Sequence, residues 1–120
     1  LVIVTRKRSL VTLNYEKQGA EVLIAKGKGS RIALKDLFKI LAKRGIVHIL
    51  VEGGGELIAS LIEEHLADRF LFFIAPKIIG GRDAITSVEG SGIKTMGEVV
   101  TLKNMTIKRF LKDILIEAEA

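Results

Sequence analysis

Residues 47–74 read VHILVEGGGELIASLIEEHLADRFLFFI, and this stretch decides the fold class. The apolar run Val47–Val51 predicts a buried strand, and the three glycines after Glu52 predict a sharp turn. Glu56–Leu66 then places leucine and isoleucine at helical spacing, and Arg69–Ile74 predicts a further strand. A strand, a helix and a strand in this order are typical of a parallel sheet with helices on its faces.

The rest of the chain extends this order in both directions. Upstream, the pattern predicts strands at Leu1–Thr5 and Glu21–Ala25 and helices at Leu10–Gln18 and Leu34–Arg44. It also predicts a loop at Gly27–Ser30. Downstream, an irregular stretch from Ala75 to Gly97 precedes two alternating runs, Val99–Arg109 and Leu111–Glu119, which predict an antiparallel hairpin. We therefore expect a single α/β domain over residues 1–120, with a mainly parallel sheet flanked by helices and a closing antiparallel β-hairpin.

The composition is that of a folded protein without cysteine chemistry. The 120 residues contain no cysteine, which excludes disulfides and thiolate metal sites. Because the sequence has only two histidines, we also expect no metal ion. No apolar run is long enough for a transmembrane helix. The chain begins LVIVTRKRS, with its charge after its apolar run, which is the reverse of a secretory signal. We therefore expect a cytoplasmic protein without a membrane partner. The sequence also begins within a predicted strand and without Met, which predicts that the chain is truncated.

The charge is unevenly distributed along the chain. Residues 1–50 hold 11 Lys/Arg and 3 Asp/Glu, whereas residues 51–120 hold 8 Lys/Arg and 11 Asp/Glu. The first part should therefore attract anions, although a solvated basic face is an equally good interpretation. Aromatic residues make up only 5% of the chain and are not interleaved with the basic clusters, so we do not expect a nucleic-acid partner. A small phosphorylated ligand fits the charge as well.

Three glycines between a strand and a helix suit a phosphate-binding loop. Ligands of parallel sheets bind beyond the carboxyl ends of the strands, where a helix N-terminus offers N–H groups and partial positive charge. The stretch is not a P-loop, which needs Lys-Ser/Thr after its last glycine. It is not a GxGxxG fingerprint either, which would require glycine in place of Ile58. A tight turn without a ligand is the alternative.

Polar residues follow two of the predicted strands. Glu52 could accept hydrogen bonds from the N–H groups of a heterocycle, and a capping or salt-bridged carboxylate is the alternative. Thr5 and Arg6 end the first strand, at the same edge of a parallel sheet. A hydroxyl and a guanidinium there suit a phosphomonoester such as the 2′-phosphate of NADP, while a plain surface charge is the alternative for Arg6.

A longer signature covers residues 51–81. They read VEGGGELIASLIEEHLADRFLFFIAPKIIGG, which closely resembles the C-terminal reductase domain of riboflavin biosynthesis proteins: an EGG turn, a helix, an Ala-Asp-Arg segment and a strand that ends in IAPK and GG. Residues 88–104, VEGSGIKTMGEVVTLKN, are most similar to the free-standing archaeal type of this reductase.

The resemblance implies a dihydrofolate-reductase-like fold, NADPH as the cofactor and usually a homodimer. Members reduce the ribosyl group of an amino- or diaminopyrimidinone ribosylamine 5′-phosphate to the ribityl form. At matching positions Glu52 would contact the pyrimidine, and Thr5 would bind near the adenosine 2′-phosphate with Arg6 beside it. The NADPH phosphates would be held by the turn and the start of the helix: Gly53, Gly54, Gly55, Glu56, Leu57, Ile58, Ala59 and Ser60. No residue is assigned as catalytic.

The resemblance covers the whole chain but only about the second half of the family's domain. The other half would carry most contacts to the substrate's ribose phosphate and the nicotinamide, so catalysis should need it, and an apolar sheet edge should be exposed without it. Many bacterial members have a deaminase domain fused upstream. Two other classes stay open. One is a dihydrofolate reductase, against which Glu52 and the APKIIGG segment argue, and the other is a non-catalytic nucleotide- or RNA-binding module.

Overall fold

The computed structural model describes residues 1–29 and 31–120. In it the chain forms two compact units, Leu1–Leu50 and Val51–Ala120, here called the first and the second unit. Both contain helices and strands, which confirms the α/β class. Ser30, which the predicted Gly27–Ser30 loop includes, lies outside the described residues.

The first unit is built on a parallel strand pair. Its described residues form β1 Val2–Thr5, α1 Leu10–Lys17, β2 Glu21–Ile24, β3 Gly27–Lys28, β4 Arg31–Ile32 and α2 Leu34–Lys43. β1 and β2 pair in parallel, from Val2 opposite Glu21 to Thr5 opposite Ile24. β3 and β4 pair antiparallel, so a short hairpin replaces the loop that the sequence predicted after Lys26.

Local sequence signals explain where the helices of this unit begin and end. At the start of α1 the Ser9 hydroxyl accepts a hydrogen bond from the Thr12 N–H at 3.3 Å, and the Thr12 hydroxyl oxygen accepts one from the Ser9 N–H at 2.9 Å. α2 ends before Gly45, whose φ of +80° suits glycine, and the Ile46 N–H then donates to the Leu41 carbonyl at 3.2 Å. Both boundaries lie within two residues of the predicted ones.

The second unit combines a helix with an antiparallel sheet. Its elements are α3 Gly55–Glu63, β5 Arg69–Ile74, a 3₁₀ turn at Met96–Glu98, β6 Lys103–Phe110 and β7 Asp113–Glu119. The strand order is β5–β7–β6, with Phe72 opposite Ile116 and Ile116 opposite Ile107, so apolar side chains share one face of the sheet. The predicted strand Arg69–Ile74 and the closing hairpin are confirmed, with the hairpin turn at Leu111 and Lys112.

The strand predicted at Val47–Val51 is wrong. Residues 46–52 adopt no regular secondary structure, and Val47 and Leu50 are 82% and 72% exposed. A strand exists through hydrogen bonds to a neighbouring strand, and no strand of the described chain pairs with this run. Parallel pairing among the described residues is accordingly limited to β1 and β2, and the other pairings are antiparallel.

Apolar burial is limited in both units. The buried apolar residues of the described chain are few and mostly small: Ala25, Leu34, Ala59, Leu61 and Ala118. Larger side chains lie at the surface, among them Phe73, 62% exposed, and Ile78, fully exposed. None of the helices in the described residues combines the length and the apolar content that crossing a membrane requires.

Candidate functional site

Two glycines in the left-handed region shape the turn before α3. Gly53 has φ +70° and Gly54 has φ +81°, which other residues rarely adopt. Gly54 immediately precedes the helix and provides no side-chain cap, while its carbonyl accepts a hydrogen bond from the Ile58 N–H at 3.0 Å. The N–H groups of the first helical turn have no acceptor within the helix itself. The turn can therefore present backbone donors to an anion.

The third glycine has a different role, because it allows close packing. Gly55 is buried, and a Cβ added to it would lie 2.6 Å from Cγ of Glu89, whose N–H donates to the Gly55 carbonyl at 3.2 Å. One residue further, a Cβ on Gly90 would lie 2.6 Å from Cβ of Ala59. Glu89 and Gly90 thus cover the face of α3 that carries Gly55 and Ala59. For these two predicted cofactor residues, the structure supports a packing role.

The opposite side of the turn is open. Glu52, Gly53, Gly54 and Leu57 are exposed, and a Cβ on Gly53 would meet no atom within 4 Å. Glu56 is also exposed and adds a carboxylate to the first turn of α3.

The hydroxyl of Ser60 is engaged within the helix, since it donates to the Glu56 carbonyl at 2.8 Å. Ile58 is half-buried. The residues placed to meet a ligand at this turn are therefore those from Glu52 to Leu57, and Gly55 is the exception within that range.

In the first unit, the end of β1 carries Thr5 and Arg6. The Thr5 hydroxyl donates to the Lys7 carbonyl at 3.2 Å, so its proton is already used. Arg6 lines a cavity of about 490 Å³ together with Ile24, Ala25, Lys26 and Gly27, at the carboxyl ends of β1 and β2.

Lys26 is a candidate residue that sequence reasoning missed. It directly follows the second predicted strand as Arg6 directly follows the first. Since parallel strands end at the same edge of their sheet, this equivalence was a usable signal.

A second cavity, of about 440 Å³, lies in the second unit at the C-terminal end of α3, away from the glycines. Its lining combines apolar and charged residues: Leu61, Ile62, His65, Ala67, Asp68, Arg69, Phe70, Val100, Glu119 and Ala120. No sequence motif pointed to it.

In each unit, an ion pair lowers the pKa of one carboxylate of the described residues. The hydrogen bond from Lys108 at 3.0 Å, its charge and the charge of Arg69 lower the pKa of Glu117. In the first unit, the hydrogen bond and charge of Arg44 lower the pKa of Glu21, at a distance of 2.7 Å. Both carboxylates stabilise local structure through exposed ion pairs.

Comparison with known proteins identifies the family. Residues 1–116 match the family described as the RibD C-terminal domain, and the chain belongs to that family. The riboflavin biosynthesis protein RibD of Actinobacillus pleuropneumoniae is 35% identical over 103 residues, which cover 86% of this chain and 27% of that protein. The 2,5-diamino-6-ribosylamino-4(3H)-pyrimidinone 5′-phosphate reductase of Methanothermobacter thermautotrophicus is 35% identical over 101 residues, which cover 84% and 46%.

The fold is shared with a solved structure of RibD from Acinetobacter baumannii. The TM-score is 0.78 at 20% identity, and the match covers 98% of this chain and 30% of that one. This likeness confirms the fold implied by the resemblance. The chain spans 27% to 46% of the length of the two curated relatives described above. The family assignment separates the chain from the true dihydrofolate reductases.

Proposed function

We propose that this chain is part of an NADPH-dependent oxidoreductase of riboflavin biosynthesis. The reaction reduces the ribosyl group of an amino- or diaminopyrimidinone ribosylamine 5′-phosphate to the ribityl form. The observation that carries the proposal is the match of residues 1–116 to the RibD C-terminal domain, which includes the glycine turn and α3. The name of the archaeal relative, a pyrimidinone 5′-phosphate reductase, supports the same reaction type.

The glycine turn is the proposed diphosphate contact. Its fit rests on the left-handed Gly53 and Gly54, on the absence of a side-chain cap at Gly54, and on the open space beside Gly53. The carboxylates of Glu56 and Glu89 oppose an anion at this turn, so the diphosphate has to approach from the Gly53 side. The backbone N–H groups would then hold it without any basic side chain.

Glu52 is the proposed contact to the pyrimidine. Its exposed carboxylate follows the unpaired run 46–51 and can accept hydrogen bonds from exocyclic amino groups. When bound, NADPH would supply a hydride to C1′ of the ring-opened sugar imine. The contribution of this chain is to orient the two reactants and to exclude water between them.

The end of β1 is the proposed contact to the adenosine 2′-phosphate. Arg6 lines a cavity there, and its guanidinium can hold a phosphomonoester through paired hydrogen bonds. Thr5 contributes its hydroxyl oxygen as an acceptor from a ribose hydroxyl, since its own proton is donated to the Lys7 carbonyl.

A homodimer, a cytoplasmic location and an upstream deaminase domain complete the proposal. The homodimer and the deaminase domain are supported by the family resemblance alone.

The cofactor part is tested by titrating the protein that carries the whole reductase domain with NADPH and with NADH, following nicotinamide fluorescence. We expect NADPH to bind more tightly. Equal affinities, or no binding of either, would remove NADPH from the proposal.

The substrate part is tested with Glu52→Gln under turnover conditions, in the protein that carries the whole reductase domain. We expect turnover to fall at least about tenfold while NADPH affinity changes less than about twofold, because one charge-assisted hydrogen bond is lost. Unchanged turnover would reassign Glu52 to a structural role. Glu64→Gln, at the end of α3, is the matched control.

A further inference from the structure

One segment of the stretch between β5 and β6 lies against the first turns of α3. The N–H of Glu89 donates to the Gly55 carbonyl at 3.2 Å, and a Cβ added to Gly55 would lie 2.8 Å from the carboxyl carbon of Glu89. The next residue continues the contact, since a Cβ added to Gly90 would lie 2.6 Å from Cβ of Ala59. Gly55 and Ala59 are one helical turn apart, so the segment is fixed to α3 at two successive turns.

The carboxylate of Glu89 lies beside the N-terminal end of α3. The Cα–Cβ bonds of a helix tilt toward its N-terminus, so an atom in the Cβ direction of Gly55 lies close to the start of the helix. The N–H groups of the first turn point toward the same end, where the helix dipole places partial positive charge. Glu89 therefore brings a negative charge to the place where the proposed function puts the diphosphate.

The backbone around Glu89 holds this charge in position. Just before it, the Thr86 hydroxyl donates to the Val88 carbonyl at 2.9 Å. Just after it, Gly90 has φ +80° and leaves no room for a side chain against Ala59. Because contacts on both sides fix the backbone, the carboxylate has few ways to move away from an anion that reaches the glycine turn.

The diphosphates that could reach this turn differ in charge. In a dinucleotide each phosphate is esterified on both sides and lacks a second ionisable hydroxyl. The terminal phosphate of a nucleoside diphosphate has one, with a pKa of about 6, and so carries additional negative charge at neutral pH. Backbone N–H groups attract both kinds of diphosphate, whereas a fixed carboxylate repels the more highly charged one more strongly.

We propose that Glu89 is a specificity-determining residue that disfavours terminal diphosphates at the glycine turn and leaves the internal diphosphate of a dinucleotide as the preferred ligand. This inference rests on the proposed function, because it takes the glycine turn as the diphosphate contact. Glu89 acts by repulsion, so removal of its charge should increase affinity. Loss of a side chain that only packs against α3 would not do so.

The experiment measures the binding of ADP and of ADP-ribose to the protein that carries the whole reductase domain, by titration calorimetry. Glu89→Gln removes the charge and keeps the size of the side chain that lies against Gly55. Asp83→Asn is the matched control, since Asp83 is an exposed carboxylate of the same stretch between β5 and β6. Each titration is repeated at high salt.

We expect Glu89→Gln to strengthen ADP binding about threefold to fivefold at low salt and ADP-ribose binding by a smaller factor, with both effects reduced at high salt. Asp83→Asn should change neither ligand. If the parent binds ADP-ribose and Glu89→Gln either matches Asp83→Asn or weakens both ligands, the inference is overturned and the diphosphate contact stands. If the parent binds neither ligand, the proposed diphosphate contact fails and the inference fails with it.

Discussion

Two glycine-rich stretches of this chain look alike in sequence and differ in structure. Gly27-Lys28-Gly29 and Gly53-Gly54-Gly55 each contain a glycine held against other atoms and a left-handed glycine in open space. A Cβ on Gly27 would clash with the carbonyl oxygen of Arg31, and one on Gly55 would clash with Glu89. Gly29 and Gly53 have φ of +60° and +70°, and neither Cβ would meet an atom within 4 Å.

The element that follows decides what each stretch can do. Gly27–Gly29 leads into β4, which pairs antiparallel with β3 in a short hairpin, so a strand rather than a helix follows these glycines. Gly53–Gly55 leads into α3, whose first N–H groups have no partner within the helix. Glycine supplies the same conformational freedom in both places, but only a helix start offers free donors to a ligand.

The largest effect on stability is expected from disrupting the contact between Gly90 and α3, the helix that follows the second stretch. Gly90→Ala should lower the free energy of unfolding by about 2–3 kcal/mol, because the new Cβ meets Ala59 and the left-handed backbone is disfavoured. Denaturant unfolding measures this. Gly92→Ala is the control, since Gly92 has φ +68° and open space, and it should cost only about 1 kcal/mol. Equal losses would show that Gly90 is not packed against α3.

A second pair of variants compares the open glycines of the two stretches. Gly53→Ala and Gly29→Ala should each cost about 1 kcal/mol of stability for the left-handed backbone. Only Gly53→Ala should weaken NADPH, by about tenfold or more, because its methyl group enters the space through which the diphosphate approaches. Fluorescence titration of both variants with NADPH measures the two affinities. Similar affinities would place the diphosphate elsewhere.

A third variant tests the other end of α3, where the two units differ. The left-handed residue that follows the helix is a glycine for α1 and α2, namely Gly19 and Gly45. After α3 it is His65, with φ +52°. His65→Gly should therefore raise the free energy of unfolding by about 0.5–1 kcal/mol. Thermal unfolding is the measurement, and Gly45→Ala should show a loss of similar size. A destabilised His65→Gly would mean that the imidazole makes a contact worth more than the backbone strain.

The smallest effect concerns the carboxylates with lowered pKa in the two units. Glu117 has two cationic neighbours and Glu21 has one. Because the folded pKa lies below the unfolded one, each contribution is present at neutral pH and disappears as the pH falls through the folded pKa. Glu117→Gln should destabilise slightly more than Glu21→Gln at neutral pH, and both differences should vanish in acid and shrink in salt. A difference that grows in acid would contradict this assignment.

Most helices and strands were predictable because their signals are local. Helix α1 begins at a Ser9–Thr12 capping box and α2 ends at Gly45, both readable from neighbouring residues. The glycine turn was predictable for the same reason, and its residues could be named in advance. Lys26 was missed although its position directly after a predicted strand was readable from the sequence. The packing of Glu89 was missed because Glu89 and Gly55 are distant in sequence and meet only in the folded chain.

Amino-acid order alone determined the family, the positions of the amphipathic helices and the glycines that allow left-handed turns, since side-chain spacing and backbone freedom are properties of short segments. Tertiary structure alone decided which apolar runs became strands. Val2–Thr5 pairs with β2, whereas the equally apolar Val47–Val51 remains unpaired, and a strand is stabilised by its partner's hydrogen bonds rather than by its own residues. It also decided which glycines face open space and which lie against another segment.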